Sequence, residues 1–247
     1  MAVIELHGKV ALVTGSARRV GKAIALELAR HGMHQIIHHG HRDQDAEATA
    51  AEARALGVEA IVIKADLGQP ADIQKVFDAV RQRFGRLDVL VNSASTFTSG
   101  DILNVTLEDW QETLSVNLTA PFLCSQHAAR LMHEAGTGGA IINILDISAL
   151  KPWKPYPAHS VSKAALLTLT EVLAQNLGPD IRVNAIAPGP ILRDEANSPE
   201  QWEKIGKRLP LGHTGDPSDV AQAVAFLASQ PFITGTTLRV DGGDYLK

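Results

Sequence analysis

Short runs of apolar residues without polar alternation recur along the chain: Val10 to Val13, Gln35 to Ile37, Ala60 to Ile63, Val89 to Val91, Ile141 to Leu145, Val183 to Ile186 and Thr237 to Val240. A strand with one wet face alternates apolar and polar residues, so these runs predict strands buried on both faces, as in a parallel sheet. Between them the apolar positions take a helical spacing, over Val20 to Arg30, Ala46 to Ala55, Ala71 to Arg83, Leu107 to Met132, Ala164 to Asn176 and Ser218 to Ala228. Strand and helix in alternation predict an α/β fold, a doubly wound parallel sheet of about seven strands with helices on both faces. Ligands of such a sheet bind beyond the carboxyl ends of its strands, and the chemistry is expected there. From Pro188 to about Pro217 the strand pattern lapses, with prolines and glycines punctuating one short helix around Gln201 to Lys207. A loop of that size inside a domain is usually functional, and it is read as a substrate loop.

Composition narrows the function classes. The chain has 247 residues, 45% hydrophobic and 20% charged, which fits one ordinary globular domain. Its formal charge of −4 includes no basic block, so nucleic acid and anionic membranes are not expected partners and small molecules are. The amino terminus runs straight into a strand pattern without signal-peptide features, and no apolar stretch is long enough for a membrane helix; a cytoplasmic location is expected. The single cysteine, Cys124, lies in a helical apolar pattern and is read as core.

After the first strand comes Thr14-Gly15-Ser16-Ala17-Arg18-Arg19-Val20-Gly21, opening directly into a helix. Gly15 permits a tight turn and Gly21 close packing, while free N–H groups at Gly15, Ser16, Arg18, Arg19 and Val20 and the helix dipole suit a phosphate. The alternative is an ordinary strand-to-helix turn. The second strand ends in His38-His39-Gly40-His41-Arg42-Asp43, where a dinucleotide-binding fold meets the adenosine ribose. His41 and Arg42 favour the extra phosphate of NADP over the bare ribose of NAD, with Asp43 as a counterweight unless it caps the next helix. Three histidines here also suggest a metal, but alternate strand residues point to opposite faces, and no metal is expected. Asp66, after the third strand, is read either as an adenine partner or as a helix cap before Pro70.

The glycine turn, Asn92-Ser93-Ala94-Ser95, Asn117, Lys163, Pro188-Gly189 and Asp241-Gly242-Gly243 stand in one order along the whole chain that resembles the short-chain dehydrogenases/reductases. The resemblance implies a Rossmann-like fold, an NADPH-dependent reductase and a homotetramer, with Asn92, Ala94, Lys163, Pro188 and Gly189 at the cofactor. Arg19 stands where that family usually has a glycine, which resembles its pteridine reductase branch.

The family's catalytic set is a serine after the fifth strand, a tyrosine and a lysine four residues apart on the next helix, and an asparagine from the preceding one. Lys163 and Asn117 match it. The serine position holds Asp146, as in pteridine reductases, with Ser148 as the other candidate; the tyrosine position holds His159. An imidazole, unlike a phenol, titrates close to neutrality unaided, so Asp146 and His159 are read as proton donors and Tyr156 as pocket wall. Phe97, two residues past Ser95, offers a stacking face for a flat ring. Arg19, Ser95, Phe97, Asp146 and Tyr156 together resemble the pterin pocket of that branch. The leading expectation is therefore an NADPH-dependent pteridine reductase-like enzyme acting on a pterin or dihydrofolate-type ring. The alternatives are a general carbonyl or 3-oxoacyl reductase, and a non-catalytic NADP-binding protein that has lost its tyrosine.

Overall fold

The computed structural model describes residues 2–193 and 197–247. Its elements run β1 (Val10–Val13), α1 (Arg19–Arg30), β2 (His34–His39), α2 (Asp43–Ala55), β3 (Ala60–Lys64), α3 (Pro70–Phe84), β4 (Val89–Asn92), α4 (Leu107–Leu114), α5 (Ala120–Glu134), β5 (Gly139–Ile144), α6 (Pro157–Leu177), β6 (Ile181–Pro188), α7 (Pro199–Lys207), α8 (Pro217–Ser229) and β7 (Thr237–Val240). The seven strands form one sheet in the order β3-β2-β1-β4-β5-β6-β7. Every pairing is parallel. The chain turns back on itself between β1 and β4, and that switch of direction leaves a crevice at the carboxyl edge.

Strand period decides which core each residue joins. Ala11, Val13 and Val91 face a layer containing Ile24 and Leu28 of α1 and Val220 and Val224 of α8. Val10, Leu12 and Leu90 face the opposite layer with Val76 and Val80 of α3 and Ala128 of α5. Each large side chain removed from water in these layers contributes about 1.5–3 kcal/mol, which is why the strands read as unbroken apolar runs. Cys124 belongs to the second layer, where burial pushes its thiol up to about 12 and leaves it chemically inert.

Two helices differ from the sequence expectation. The single helix expected over Leu107 to Met132 is two, joined by a π-helical turn at Ser115–Thr119. Pro121 has no amide hydrogen to give the carbonyl four residues back, at Asn117, and the widened turn also carries the Asn117 side chain inward. α6 begins at Pro157 rather than Ala164, because proline is well suited to a helix's first position; His159 and Lys163 thus share its first two turns. Within the loop expected over 188–217, α7 is closed by a capping box between Ser198 and Gln201. Asp194, Glu195 and Ala196 of that loop lie outside the described residues. Among the described residues no helix is long and apolar enough to cross a membrane.

Candidate active site

A cleft of about 790 Å³ opens at the carboxyl ends of the central strands. Its floor at one end is the turn between β1 and α1. Gly15 sits at φ +67°, and a Cβ there would come within 2.9 Å of the Ala94 Cα. At Gly21 a Cβ would lie 2.4 Å from the Gly15 carbonyl oxygen. Gly21→Ala should therefore lift α1 off the turn and cost about 1–3 kcal/mol, read as a lowered midpoint in urea unfolding.

Two of the expected phosphate-facing N–H donors, those of Gly15 and Ser16, are engaged within the fold. The Gly15 N–H donates to His38 Nδ1 at 3.0 Å, and the Ser16 N–H donates to the His38 carbonyl at 2.9 Å. Ser16 is fully buried and its hydroxyl donates to the Val13 carbonyl, so it does not reach the cleft. What remains open is the start of α1. Arg18 at its N-cap gives no side-chain capping hydrogen bond, and the first turn holds no acid. Arg18, Arg19, Val20 and Gly21 all line the cleft. An uncapped helix end with two arginines fits the pyrophosphate of a dinucleotide.

Arg19 is the one non-glycine residue at positive φ, +57°, among the described residues. Left-handed backbone costs an L-residue about 1–2 kcal/mol. Arg19→Gly is accordingly expected to stabilise the fold by about 1 kcal/mol, read in thermal melts, while weakening anion binding in the cleft.

At the ribose end His41 lines the cleft, whereas Arg42 is exposed outside the lining. Asp43 is the first residue of α2 and caps nothing; both its oxygens accept from Lys64 Nζ at 3.1 Å, which turns its charge aside. Asp66 lines the cleft too and accepts from the Gly68 N–H at 2.9 Å, while α3 has Gln69 at its N-cap; the helix-cap reading of Asp66 therefore fails. Asn92 stays out of the cleft. It is buried, donating to Asn143 on β5 at 2.8 Å, and Asn143 in turn donates to Thr170 on α6. Ala94, Pro188 and Gly189 do line the cleft.

The acid–base groups meet at the other end. Asp146 lies just beyond β5 and divides its carboxylate: Oδ1 accepts from the Ser148 N–H at 2.7 Å, capping a short 3-10 turn, and Oδ2 lies 2.5 Å from His159 Nε2. Asp146 is thus a cap and a cleft residue at once. Ser148, the other candidate, is fully buried and its hydroxyl has no hydrogen-bond partner among the described residues. His159 is 2% exposed. Its Nδ1 lies 3.2 Å from the Thr96 carbonyl oxygen. The carboxylate thus faces one ring nitrogen, and the Thr96 carbonyl oxygen, with the Asn117 Nδ2 at 3.4 Å, faces the other.

One helical turn on, the Lys163 ammonium is buried and donates to the Ile144 carbonyl at 2.9 Å. Burial lowers its pKa, an effect the nearby Asp146 charge opposes. For Asp146, burial alone would raise the carboxyl, but the His159 hydrogen bond and the Lys163 charge outweigh it and hold the group below the usual carboxylate range.

Asn117 stands one layer back and does not line the cleft. Its Oδ1 accepts from the Thr96 N–H at 2.8 Å and from the Ser95 hydroxyl at 3.1 Å, and its Nδ2 donates to the Thr96 carbonyl at 3.0 Å. It fixes the carbonyl against which His159 rests. Phe97 is half-exposed and stacks on Tyr156, ring centroids 4.1 Å apart. It also meets His159 edge-on at 4.6 Å and Trp153 edge-on at 6.2 Å. Thr96 and Trp153 were not singled out from sequence, and His38 was named there only among three histidines weighed as metal ligands. The tryptophan between two prolines, at 152 and 155, was a visible cue, whereas a backbone carbonyl carries none.

The family model described as Enoyl-(Acyl carrier protein) reductase matches residues 15–244. A 3-oxoacyl-(acyl-carrier-protein) reductase of Synechocystis sp. is 36% identical over 242 residues, covering 96% of this chain and 97% of that protein. An L-rhamnose 1-dehydrogenase (NAD(P)(+)) of Azotobacter vinelandii is 38% identical over 248 residues, covering 96% and 97%. Among solved structures, acetoin dehydrogenase from Salmonella typhimurium superposes with a TM-score of 0.89 at 36% identity, covering 96% of each chain. The angucycline C-6 ketoreductase LanV with bound NADP gives 0.90 at 32%, covering 99% of this chain and 98% of its own. These likenesses run the length of the cleft and the sheet beneath it, and the chain belongs to the short-chain dehydrogenase/reductase family of oxidoreductases.

Proposed function

We propose that this chain is an NADPH-dependent carbonyl reductase in which a carboxyl–imidazole pair, rather than a tyrosine, supplies the proton. The observation that carries the reading is the 2.5 Å contact between Asp146 and His159 at the cleft wall, one helical turn from Lys163. The similar proteins favour a carbonyl substrate, since they include a 3-oxoacyl reductase, an acetoin dehydrogenase and a ketoreductase.

When bound, a reduced nicotinamide supplies the hydride. The residues of this chain do the rest. Arg18, Arg19, Val20 and the adjoining N–H groups of α1 would hold the pyrophosphate, and Lys163 the nicotinamide ribose. His41 supports NADPH over NADH, and the pairing of Asp43 with Lys64 removes the main objection. As the carbonyl carbon accepts the hydride, its oxygen gains the electron pair and takes a proton from the Asp146–His159 pair. Solvent then restores that proton. The Lys163 ammonium favours the ionised Asp146 left behind, and the Thr96 carbonyl keeps the imidazole turned toward the carboxylate. After β6, Ile191 and Leu192 line the cleft and would contact the substrate. The resemblance further implies a homotetramer, which native mass measurement would test.

One observation favours a second reading, reduction of a pterin or dihydrofolate-type ring. Phe97, Tyr156 and Trp153 form an aromatic wall, with Arg19 and Asp146 lining the same cleft, and that set suits a flat, hydrogen-bonding heterocycle. The two readings separate in one assay. Purified protein and NADPH are mixed with an aromatic ketone, a 3-oxoacyl thioester or dihydrobiopterin, and nicotinamide absorbance is followed. Loss with either carbonyl compound supports the first reading. Loss with dihydrobiopterin alone moves the assignment to the second, and loss with none of them overturns both in favour of a non-catalytic dinucleotide-binding protein.

A further inference from the structure

We propose that His38 is a positioning residue for the dinucleotide: its imidazole ties the β1–α1 glycine turn to the end of β3 and thereby sets the shape of the cleft's adenosine half. The proposal rests on the cofactor reading above and adds a residue that contributes through the turn it holds. His38 stands on β2, which lies between β1 and β3 in the sheet. The ladder joining β1 to β2 ends at the pair Val13 and Ile37, so strand pairing does not hold the turn that follows. There the His38 ring takes over. Its Nδ1 accepts the Gly15 N–H at 3.0 Å, and its Nε2 lies 3.1 Å from the Ala65 carbonyl oxygen. Only one form of the ring serves both partners: a lone pair on Nδ1 for the amide and a hydrogen on Nε2 for the carbonyl.

The backbone adds two more links, from the His38 N–H to the Ser16 hydroxyl at 3.1 Å and from the Ser16 N–H to the His38 carbonyl. Gly15 is pinned from the far side by Ala94, so its amide has little room to relax if the imidazole is lost. Burial is the main reason that the His38 pKa falls to about 4, and the ring is neutral near neutral pH. The side chain is also part of the cleft wall, next to Gly40, His41 and Asp66.

The test is a fluorescence titration of NADPH against the wild-type protein, H38L and H38N, with circular dichroism to show that each is folded. Both variants lose the Ala65 link, but the Asn side-chain oxygen occupies nearly the place of Nδ1 and can accept from Gly15. H38L is expected to raise the NADPH Kd about tenfold, which is about 1.4 kcal/mol. H38N should return it to within about threefold of wild type, and the adenosine bisphosphate half of NADP, titrated alone, should show the same order. Should H38L not fold, H38Q takes its place, since its longer side chain reaches past Gly15 toward Ala65. Equal affinity in wild type and H38L would overturn the proposal, as would equal losses in folded H38L and H38N. Failure of the wild-type protein to bind NADPH would sink the cofactor reading itself, an outcome distinct from either.

Discussion

Replacing His159 by alanine is expected to lower kcat for carbonyl reduction by about two to four orders of magnitude, with NADPH affinity changed less than about threefold. The ring sits where Asp146 and the Thr96 carbonyl both face its nitrogens, and its removal takes away the only imidazole on the cleft wall beside Lys163 among the described residues. Lys163 remains, anchored on Ile144, so the binding side should hold while the proton step fails. Asp146→Asn should cost a similar factor, because an amide keeps the shape but neither carries the proton nor stabilises a charged ring. The sharper test is the exchange. His159→Tyr alone puts a longer side chain against a carboxylate already 2.5 Å from the imidazole and should be nearly inactive. Adding Asp146→Ser restores the pair of residue types that the family usually carries and should recover activity to within about tenfold of wild type. Steady-state kinetics on the four variants decides. Full activity in His159→Ala, or a double variant no better than His159→Tyr, would dismiss the carboxyl–imidazole pair as the proton source.

Much of this fold is legible in the chain because the sheet is buried on both faces. Ile36 and Ile37, or Ile141 and Ile142, point to opposite cores and are apolar for the same reason. β2 was harder to bound, since His34, His38 and His39 belong to its ladder but are polar. In the site, the four-residue spacing of His159 and Lys163 already put both on one helix face. The contact between His159 and Asp146, thirteen positions earlier in the chain, needed the tertiary fold. Errors gathered where a motif residue was assumed to face the ligand. Asn92 and Ser16 are both spent on internal hydrogen bonds, one across β4 and β5 and the other between β1 and β2. Asn117 likewise works through Thr96 instead of reaching the cleft. The pterin expectation rested on side chains that do gather in one cleft, but an aromatic wall accepts many flat or apolar bodies. The similar proteins include a 3-oxoacyl reductase, an acetoin dehydrogenase and a ketoreductase.

Acid should destabilise the wild-type protein by about 3 kcal/mol between pH 6.5 and 4, and His38 should be the largest single source of that loss. A histidine in the unfolded chain titrates near 6.5, whereas His38 in the fold is pushed down to about 4, mainly by its burial. Between those two values the unfolded chain holds a proton that the folded one refuses, so stability falls as pH drops through the window. Above 6.5 both states are neutral at this site and below 4 both are charged, so the slope vanishes outside it. The cause is local: protonating Nδ1 would set an N–H against the Gly15 N–H that it now accepts. Asp146, whose carboxyl is held low in the fold, adds stability that persists above the ordinary carboxylate range and is lost only at still lower pH, so the two steps are separable. His39 and His127 are also lowered, chiefly by desolvation, and contribute equally to wild type and to a His38 variant. Urea unfolding of wild type and H38N at pH 7 and pH 4.5 isolates the term. H38N should be the weaker protein at pH 7 and close most of the gap at pH 4.5. Parallel losses in the two proteins would mean that His38 takes up its proton in the fold as readily as in the unfolded chain, and that the buried ring is not what makes the turn sensitive to acid.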